Sequence, residues 1–234
     1  PPARVHWGQK PCDEMGDLWF QLATSNDADR ELLGAEVQGK MTAEDLVGLE
    51  TMLLTSPDDT ELHDDAAVLA LALGRPAAAV SHFHATAERR PNDAAARYNL
   101  ATAMTQAGLF DDAIREYERA LALRPRYAKA LSNLGDALVA VGRSDEAIRR
   151  YEAAVAADSL MPEAHNNLGA ALWRKGELLR AERELREAIR LRPGYAEAFF
   201  NLGHAAVRDR RVADAAAHFR KAATLRDDWP VPKS

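Results

Sequence analysis

The chain has 234 residues, of which 47% are hydrophobic, 28% charged and 6% aromatic, with a formal net charge of -6. This alanine-rich composition favours helices. The negative charge argues against nucleic acid or an anionic membrane surface as the main partner, because both attract a basic protein face. One cysteine, Cys12, excludes an internal disulfide and a cysteine-based metal cluster. No apolar run approaches the roughly 20 residues of a membrane-spanning helix.

Residues 1–25 differ from the rest of the chain and are predicted to be extended. The stretches "RVHWG" and "DLWFQLA" have the pattern of short strands around "QKPCDEMG". The chain begins with Pro1 rather than Met and shows no secretory signal, so we expect a fragment or a mature form. The sequence predicts a soluble protein and does not identify its compartment.

The segment around Asp13, Glu14 and Met15, followed by an aromatic strand, resembles a known copper-binding segment. It is similar to the stretch that supplies the methionine copper ligand in copper type II, ascorbate-dependent monooxygenases. The resemblance implies that Met15 is a thioether ligand, since soft sulfur suits Cu(I), in a longer enzyme with an upstream copper domain. The histidine ligands of that family are absent, so we predict no metal site within the chain itself.

Residues 26–59 are predicted to form two capping helices, a degenerate repeat. The first helix is expected near 27–38, after the turn-like Ser25-Asn26-Asp27. The second is expected from an N-cap at Thr42 to about Leu54. Together they would cover the open face of the structure that follows.

From residue 60 to residue 229 the sequence has a period of 34 residues, most clearly in its glycines, Gly74, Gly108, Gly142 and Gly176. The same step separates five alanines: Ala79, Ala113, Ala147, Ala181 and Ala215. Apolar residues at helical spacing run up to each glycine and restart after it. Each repeat is therefore predicted to be a helical hairpin, with the glycine at a helix C-terminus that requires a positive φ.

These positions resemble the tetratricopeptide repeat family. In the repeat 128–161 the family pattern falls on Leu131, Leu134, Gly135, Leu138, Ala147, Tyr151, Ala154 and Ser159. Five repeats are predicted, 60–93, 94–127, 128–161, 162–195 and 196–229, followed by a tail, 230–234. The last repeat departs from the pattern, with Arg210 in place of the glycine. The resemblance implies an all-α fold, a right-handed α-solenoid of helical hairpins, preceded by the short β-like segment.

The small residues suggest how the two helices of a hairpin meet. Gly135, Gly169 and Gly203 are predicted to let the second helix approach closely. We expect the alanines at Ala147 and its equivalents to lie opposite them.

The resemblance also implies that the first helix of each hairpin lines a concave groove. Asn133 is predicted to face this groove and recurs at Asn99, Asn167 and Asn201. Such a ladder of primary amides can pair with the backbone of an extended peptide. Alternatively, each Asn orients neighbouring helices, and the sequence leaves both roles open.

Other residue types in the predicted groove are typical of binding hot spots, and Trp173 is the strongest individual candidate. The complete predicted groove consists of Tyr98, Asn99, Lys129, Asn133, Asn166, Asn167, Trp173, Arg174, Phe200, Asn201, His204 and Arg208.

These observations predict a non-catalytic scaffold that binds a protein or an extended peptide and needs no cofactor. Two alternatives remain: the tail of a copper-dependent monooxygenase, or the substrate-recognition arm of a glycosyltransferase, by resemblance to the arm of O-linked N-acetylglucosamine transferase. After Leu225 the chain offers only "RDDWPVPKS" rather than a polar capping helix. We therefore expect the chain to continue, or to self-associate, at this end.

Overall fold

The computed structural model describes residues 43–226, which contain eleven α-helices and no strand. The helices are α1 (Ala43–Thr55), α2 (Thr60–Ala72), α3 (Pro76–Arg89), α4 (Ala94–Gln106), α5 (Phe110–Leu123), α6 (Ala128–Ala140), α7 (Ser144–Ala157), α8 (Pro162–Lys175), α9 (Leu178–Leu191), α10 (Ala196–Arg208) and α11 (Val212–Leu225). The predicted strands, the helix near 27–38, Met15 and the tail 230–234 lie outside these residues. None of the described helices has the length and hydrophobicity that crossing a membrane requires.

The predicted all-α solenoid is confirmed over the described residues. Each predicted repeat from residue 60 onward contains two helices that pack against each other as a hairpin, and α1 packs on α2 ahead of them. The second helix of each hairpin also packs against the first helix of the next. First helices meet one another directly, α4 with α6, α6 with α8 and α8 with α10, so they form the inner wall of the solenoid.

The core is shared between neighbouring hairpins. Leu134 and Leu138 of α6 are buried together with Tyr117 of the preceding hairpin and Leu168 of the following one. Because one hairpin contributes only part of each cluster, its apolar surface is buried only when both neighbours are in place.

The glycines of the first helices allow close approach, and at Gly169 the predicted alanine is among the residues met, since the Ala181 carbonyl oxygen would lie 3.2 Å from an added Cβ. A Cβ added to Gly169 or Gly203 would lie 2.6 Å from a side-chain carbon of Leu185 or Phe219, respectively. At Gly135 the equivalent atom would overlap the ring of Tyr151. The nearest atoms nevertheless belong to the larger side chain one helical turn after each predicted alanine, which extends back across the glycine.

The glycines between the helices have the predicted positive φ. Gly74, Gly108, Gly142 and Gly176 have φ values of 67°, 76°, 80° and 96°. In the last hairpin Arg210 takes their place with φ 59°. A residue with a Cβ is strained in this left-handed region. The backbone strain at Arg210 therefore lowers the stability of the last hairpin, whereas the other four hairpins have glycine at this position.

The C-terminal hairpin also buries less of its second helix. Only Ala215 and Ala222 of α11 are buried, and Val212 is 74% exposed. Self-association at this end stays a prediction.

Replacing Arg210 with glycine should stabilise the protein. Relief of the left-handed strain, less the extra backbone entropy of a glycine in the unfolded chain, is expected to raise the free energy of unfolding by about 0.5–1 kcal/mol. Urea unfolding followed by circular dichroism measures this change. The reverse substitution, Gly142→Arg, should lower stability, and equal stability of all three proteins would contradict the assignment of strain.

Replacing Gly135 with alanine should destabilise the protein by about 1–3 kcal/mol, because the new methyl group would overlap the ring of Tyr151. Gly48 provides the matched control, since it lies inside α1 with open space around it. Gly48→Ala is expected to raise stability by up to about 1 kcal/mol through helix propensity. A loss of similar size in both variants would argue against the packing explanation.

Candidate functional site: the concave groove

The inner wall formed by α4, α6, α8 and α10 is the concave groove. Near its middle opens a cavity of about 600 Å³, between the first helices of the second, third and fourth repeats. Its wall is formed by Tyr98, Lys129, Ser132, Asn133, Asp136, Asp158, Met161, Glu163, Asn167 and Tyr195. Four of these, Tyr98, Lys129, Asn133 and Asn167, are among the residues predicted from sequence.

The asparagine ladder connects consecutive first helices. The Nδ2 atom of Asn133 donates to the Tyr98 hydroxyl at 3.2 Å, and that of Asn201 donates to Asn166 Oδ1 at 2.9 Å. Asn167 Nδ2 lies 3.2 Å from both Ser132 Oγ and Asp136 Oδ1. The N–H groups of these three amides therefore hold neighbouring repeats together. The Asn133 amide also interacts with the buried hydroxyl of Tyr117, and among the described residues no donor reaches the amide oxygen of Asn201.

Two further asparagines differ from this pattern. Asn99 is half-buried, and no described residue forms a hydrogen bond with its side chain. Asn166 is only 6% exposed; besides accepting from Asn201, it donates to Asn167 Oδ1 at 3.3 Å. Asn166 is therefore buried within the wall with both ends of its amide in internal contacts, and its contact with a ligand stays a prediction.

Asp136 is the central acidic group of the groove. Its Oδ1 accepts a hydrogen bond from the Tyr151 hydroxyl at 2.6 Å and another from Asn167 at 3.2 Å. Desolvation by the surrounding wall raises the pKa of Asp136, and the bond from Tyr151 opposes that increase. Burial and the nearby Asp136 charge raise the pKa of Tyr151, so its hydroxyl keeps its proton and remains a donor.

The other charged groups of the cavity are arranged differently. Glu163 forms an ion pair with Arg192, and Asp158 accepts the backbone N–H of Leu160 at 3.0 Å. The Arg192 guanidinium also lies 4.8 Å from the centre of the Tyr195 ring. Burial, followed by the negative charge of Glu163, raises the pKa of Tyr195 to about 12. Lys129 is exposed and has no ion-pair partner among the described residues.

An aromatic cluster lies toward the C-terminal end of the groove. The rings of Trp173 and His204 stack with their centroids 5.2 Å apart and an interplanar angle of 8°. Phe200 meets the edge of His204 at 4.6 Å, and Phe219 of α11 lies 5.2 Å from the same imidazole. Burial and then the charge of Arg174 lower the pKa of His204, which favours a neutral ring at pH 7.

The two arginines predicted at this end have different environments. Arg208 Nη1 donates to the carbonyl oxygens of Trp173 and Arg174, both at 2.6 Å. Arg208 thus caps the C-terminus of α8, where a cation interacts favourably with unpaired carbonyl groups. Arg208 is exposed, and its contact with a ligand stays a prediction beside this structural role. Arg174 is exposed, with its guanidinium 5.4 Å from the Trp173 ring.

A set of polar pairs inside the hairpins was missed by the sequence analysis. His63 with His82, Arg97 with Glu116 and His165 with Glu184 join the two helices of their hairpins at 3.2, 3.3 and 2.9 Å. The 19-residue spacing was the available signal, but it is visible only once the two helices are aligned. No group of three potential metal ligands comes together between residues 43 and 226.

Comparison with known proteins agrees with this architecture. Family profiles for the tetratricopeptide repeat match residues 70–116, 94–159, 132–194 and 171–230. From residue 70 to residue 230 the chain therefore consists of tetratricopeptide repeats and belongs to that family. No curated protein sequence gives a significant match.

Several solved structures share the fold. MamA (41-end) from Desulfovibrio magneticus RS-1 is 26% identical with a TM-score of 0.63, covering 72% of this chain and 95% of its own. TTC0263, a thermophilic TPR protein from Thermus thermophilus, is 24% identical with a TM-score of 0.62, covering 72% and 92%. YrrB, described as a TPR protein with an unusual peptide-binding site, is 20% identical with a TM-score of 0.58, covering 77% and 93%.

Trp173→Phe tests whether the indole has a structural role that phenylalanine can replace. Trp173 Nε1 is buried without an acceptor, at a cost of about 1–3 kcal/mol for a buried unpaired donor. Phenylalanine removes that donor and retains a ring against His204, so its stability should stay within about 1 kcal/mol of wild type. Trp173→Ala should lose about 3–5 kcal/mol. Equal losses in both variants, measured by thermal unfolding, would show that the N–H has a partner in solution.

Proposed function

We propose that this chain is a non-catalytic scaffold that binds an extended segment of a partner protein in the concave groove. The open cavity of about 600 Å³ in the inner wall is the observation on which the proposal depends. It is lined by tyrosines, amides and charged side chains from successive first helices, so one ligand could contact several repeats at once.

The hydrogen-bonding state of the ladder favours a particular mode of peptide recognition. Asn133 and Asn201 each donate one N–H within the wall, so the amide oxygen and the second N–H of each side chain are the groups that a ligand could engage. These oxygens would accept backbone N–H groups of an extended peptide, and the exposed ammonium of Lys129 would donate to peptide carbonyls. Contacts of this kind do not depend on the side chains of the ligand.

The aromatic cluster would supply a second contact region. Trp173, Phe200 and His204 are each half-buried, so they combine fixed positions with accessible ring surface. Large aromatic groups of this kind contribute disproportionately to binding energy. The description of YrrB as having a peptide-binding site supports extending peptide binding, as a class of activity, to this chain.

Groove binding is testable with a phage-displayed library of random peptides selected on the wild-type protein. Affinities of the selected peptides would be measured by fluorescence anisotropy. We expect the double variant Tyr98→Ala/Lys129→Ala to bind them at least about tenfold more weakly, since both side chains line the cavity.

The control is the double variant Arg183→Ala/Arg186→Ala, which alters exposed side chains on α9, a second helix. It should bind the same peptides as wild type does. Equal affinity of the groove variant and wild type would refute binding in the concave groove.

A further inference from the structure

We propose that the middle of the concave groove accepts a lysine or arginine side chain of the bound segment, placed against Asp136. This inference rests on the proposed function, because it specifies the chemistry of a ligand that lies in that groove.

The first argument concerns which carboxylate in the cavity lacks a counter-charge. Glu163 has Arg192 as its partner, whereas Asp158 and Asp136 form no ion pair with a described residue; Asp158 lies outside the first helices and accepts a backbone N–H of its own loop. Asp136 accepts hydrogen bonds only from the neutral groups of Tyr151 and Asn167, and no arginine or lysine of the described residues forms an ion pair with it. Its negative charge is therefore held in place but not neutralised.

Lys129 does not supply the missing charge. It precedes Asp136 by seven residues on the same helix, about 10 Å along the axis at 1.5 Å per residue. An incoming cation can thus approach Asp136 from the open side without displacing an internal ion pair. A ligand carboxylate in the same place would face Asp136, Asp158 and Glu163 together, which electrostatic repulsion disfavours.

The second argument concerns the energetic state of Asp136. Asp136 is exposed toward the open side of the groove, while neighbouring wall atoms on its other side limit hydration and raise its pKa. A bound ammonium or guanidinium on the open side would form a charge-assisted hydrogen bond with this carboxylate, which is stronger than a bond between neutral groups.

The third argument is the aromatic lining of the same cavity. The Tyr98 and Tyr195 side chains form part of its wall. Tyrosine faces attract ammonium and guanidinium groups, and Tyr195 already has the guanidinium of Arg192 over its ring. The cavity therefore combines a fixed anion with rings that favour a cation and its aliphatic stem.

The groups around Asp136 also predict how binding depends on pH. The facing side chains are Tyr151 of α7, Asn167 and Glu163 of α8, Tyr98 of α4, Lys129 of its own helix, Asp158 before α8 and Tyr195 before α10. A ligand cation favours ionised Asp136. Affinity should therefore be complete above the raised pKa of Asp136 and decrease as the pH falls through it.

The experiment combines a ligand change with a protein change. Peptides selected on the wild-type protein from the random library should share a lysine or arginine at one position. Replacing that residue with methionine should weaken binding to wild type by at least about tenfold, which is about 1.4 kcal/mol. On Asp136→Asn the same replacement should make little difference, so the coupling between the two changes isolates the contact.

The matched control is Asp111→Asn, an identical change of charge at an exposed site on α5. This variant should retain the full preference for the cationic peptide, which separates a local contact from the effect of net charge. Asp136→Asn should fold normally, because an amide oxygen can still accept the Tyr151 hydroxyl and the desolvated charge is gone. Its thermal unfolding midpoint at pH 7 is expected to be at least that of wild type.

The outcomes distinguish this inference from the proposed function. If peptides bind the groove without a recurrent cationic residue, or prefer that residue equally on Asp136→Asn, the cation site is refuted and the scaffold remains. A uniform loss of affinity on Asp136→Asn for cationic and neutral peptides would likewise assign Asp136 a structural role only. If the Tyr98→Ala/Lys129→Ala variant binds every selected peptide as well as wild type does, both proposals fail.

Discussion

The structure depends on packing between successive hairpins. A single pair of helices cannot bury its own apolar surface, and each core cluster draws residues from neighbouring repeats. The close approach of the two helices at Gly135, Gly169 and Gly203 determines how far apart those surfaces lie. The geometry of the concave groove is thus a consequence of contacts made on the opposite side of the first helices.

Much of the fold was predictable because it repeats. A 34-residue period in glycine and alanine defines the hairpins, and a positive φ at the inter-helix glycines follows from their position. The larger residue nearest to each helix glycine was not predicted, because it lies on the same helix face as the alanine one turn before it. Whether the alanine or the large residue lies nearest to the glycine depends on the direction of the side chain, which the spacing in the sequence does not give.

The candidate site was predictable only in outline. Spacing placed Trp173, Phe200 and His204 on adjacent first helices, where their rings do meet. It could not show that Asn166 is buried or that Arg208 caps α8, because hydrogen-bond partners 34 or 35 residues away are set by the offset between repeats. The sequence also could not show that Asp136 lacks an ion-pair partner, because this depends on which charged side chains the fold places around it.

The asparagine ladder also has a mechanical consequence. Three of its amides, those of Asn133, Asn167 and Asn201, each link two first helices at the inner edge of the solenoid, where a change in curvature alters the spacing between repeats. An increase or decrease in the curvature of the array must therefore change the length of each of these hydrogen bonds. The ladder therefore couples the curvature of the array to hydrogen bonds in the groove, so a ligand that competes for these amides also acts on the spacing of the repeats.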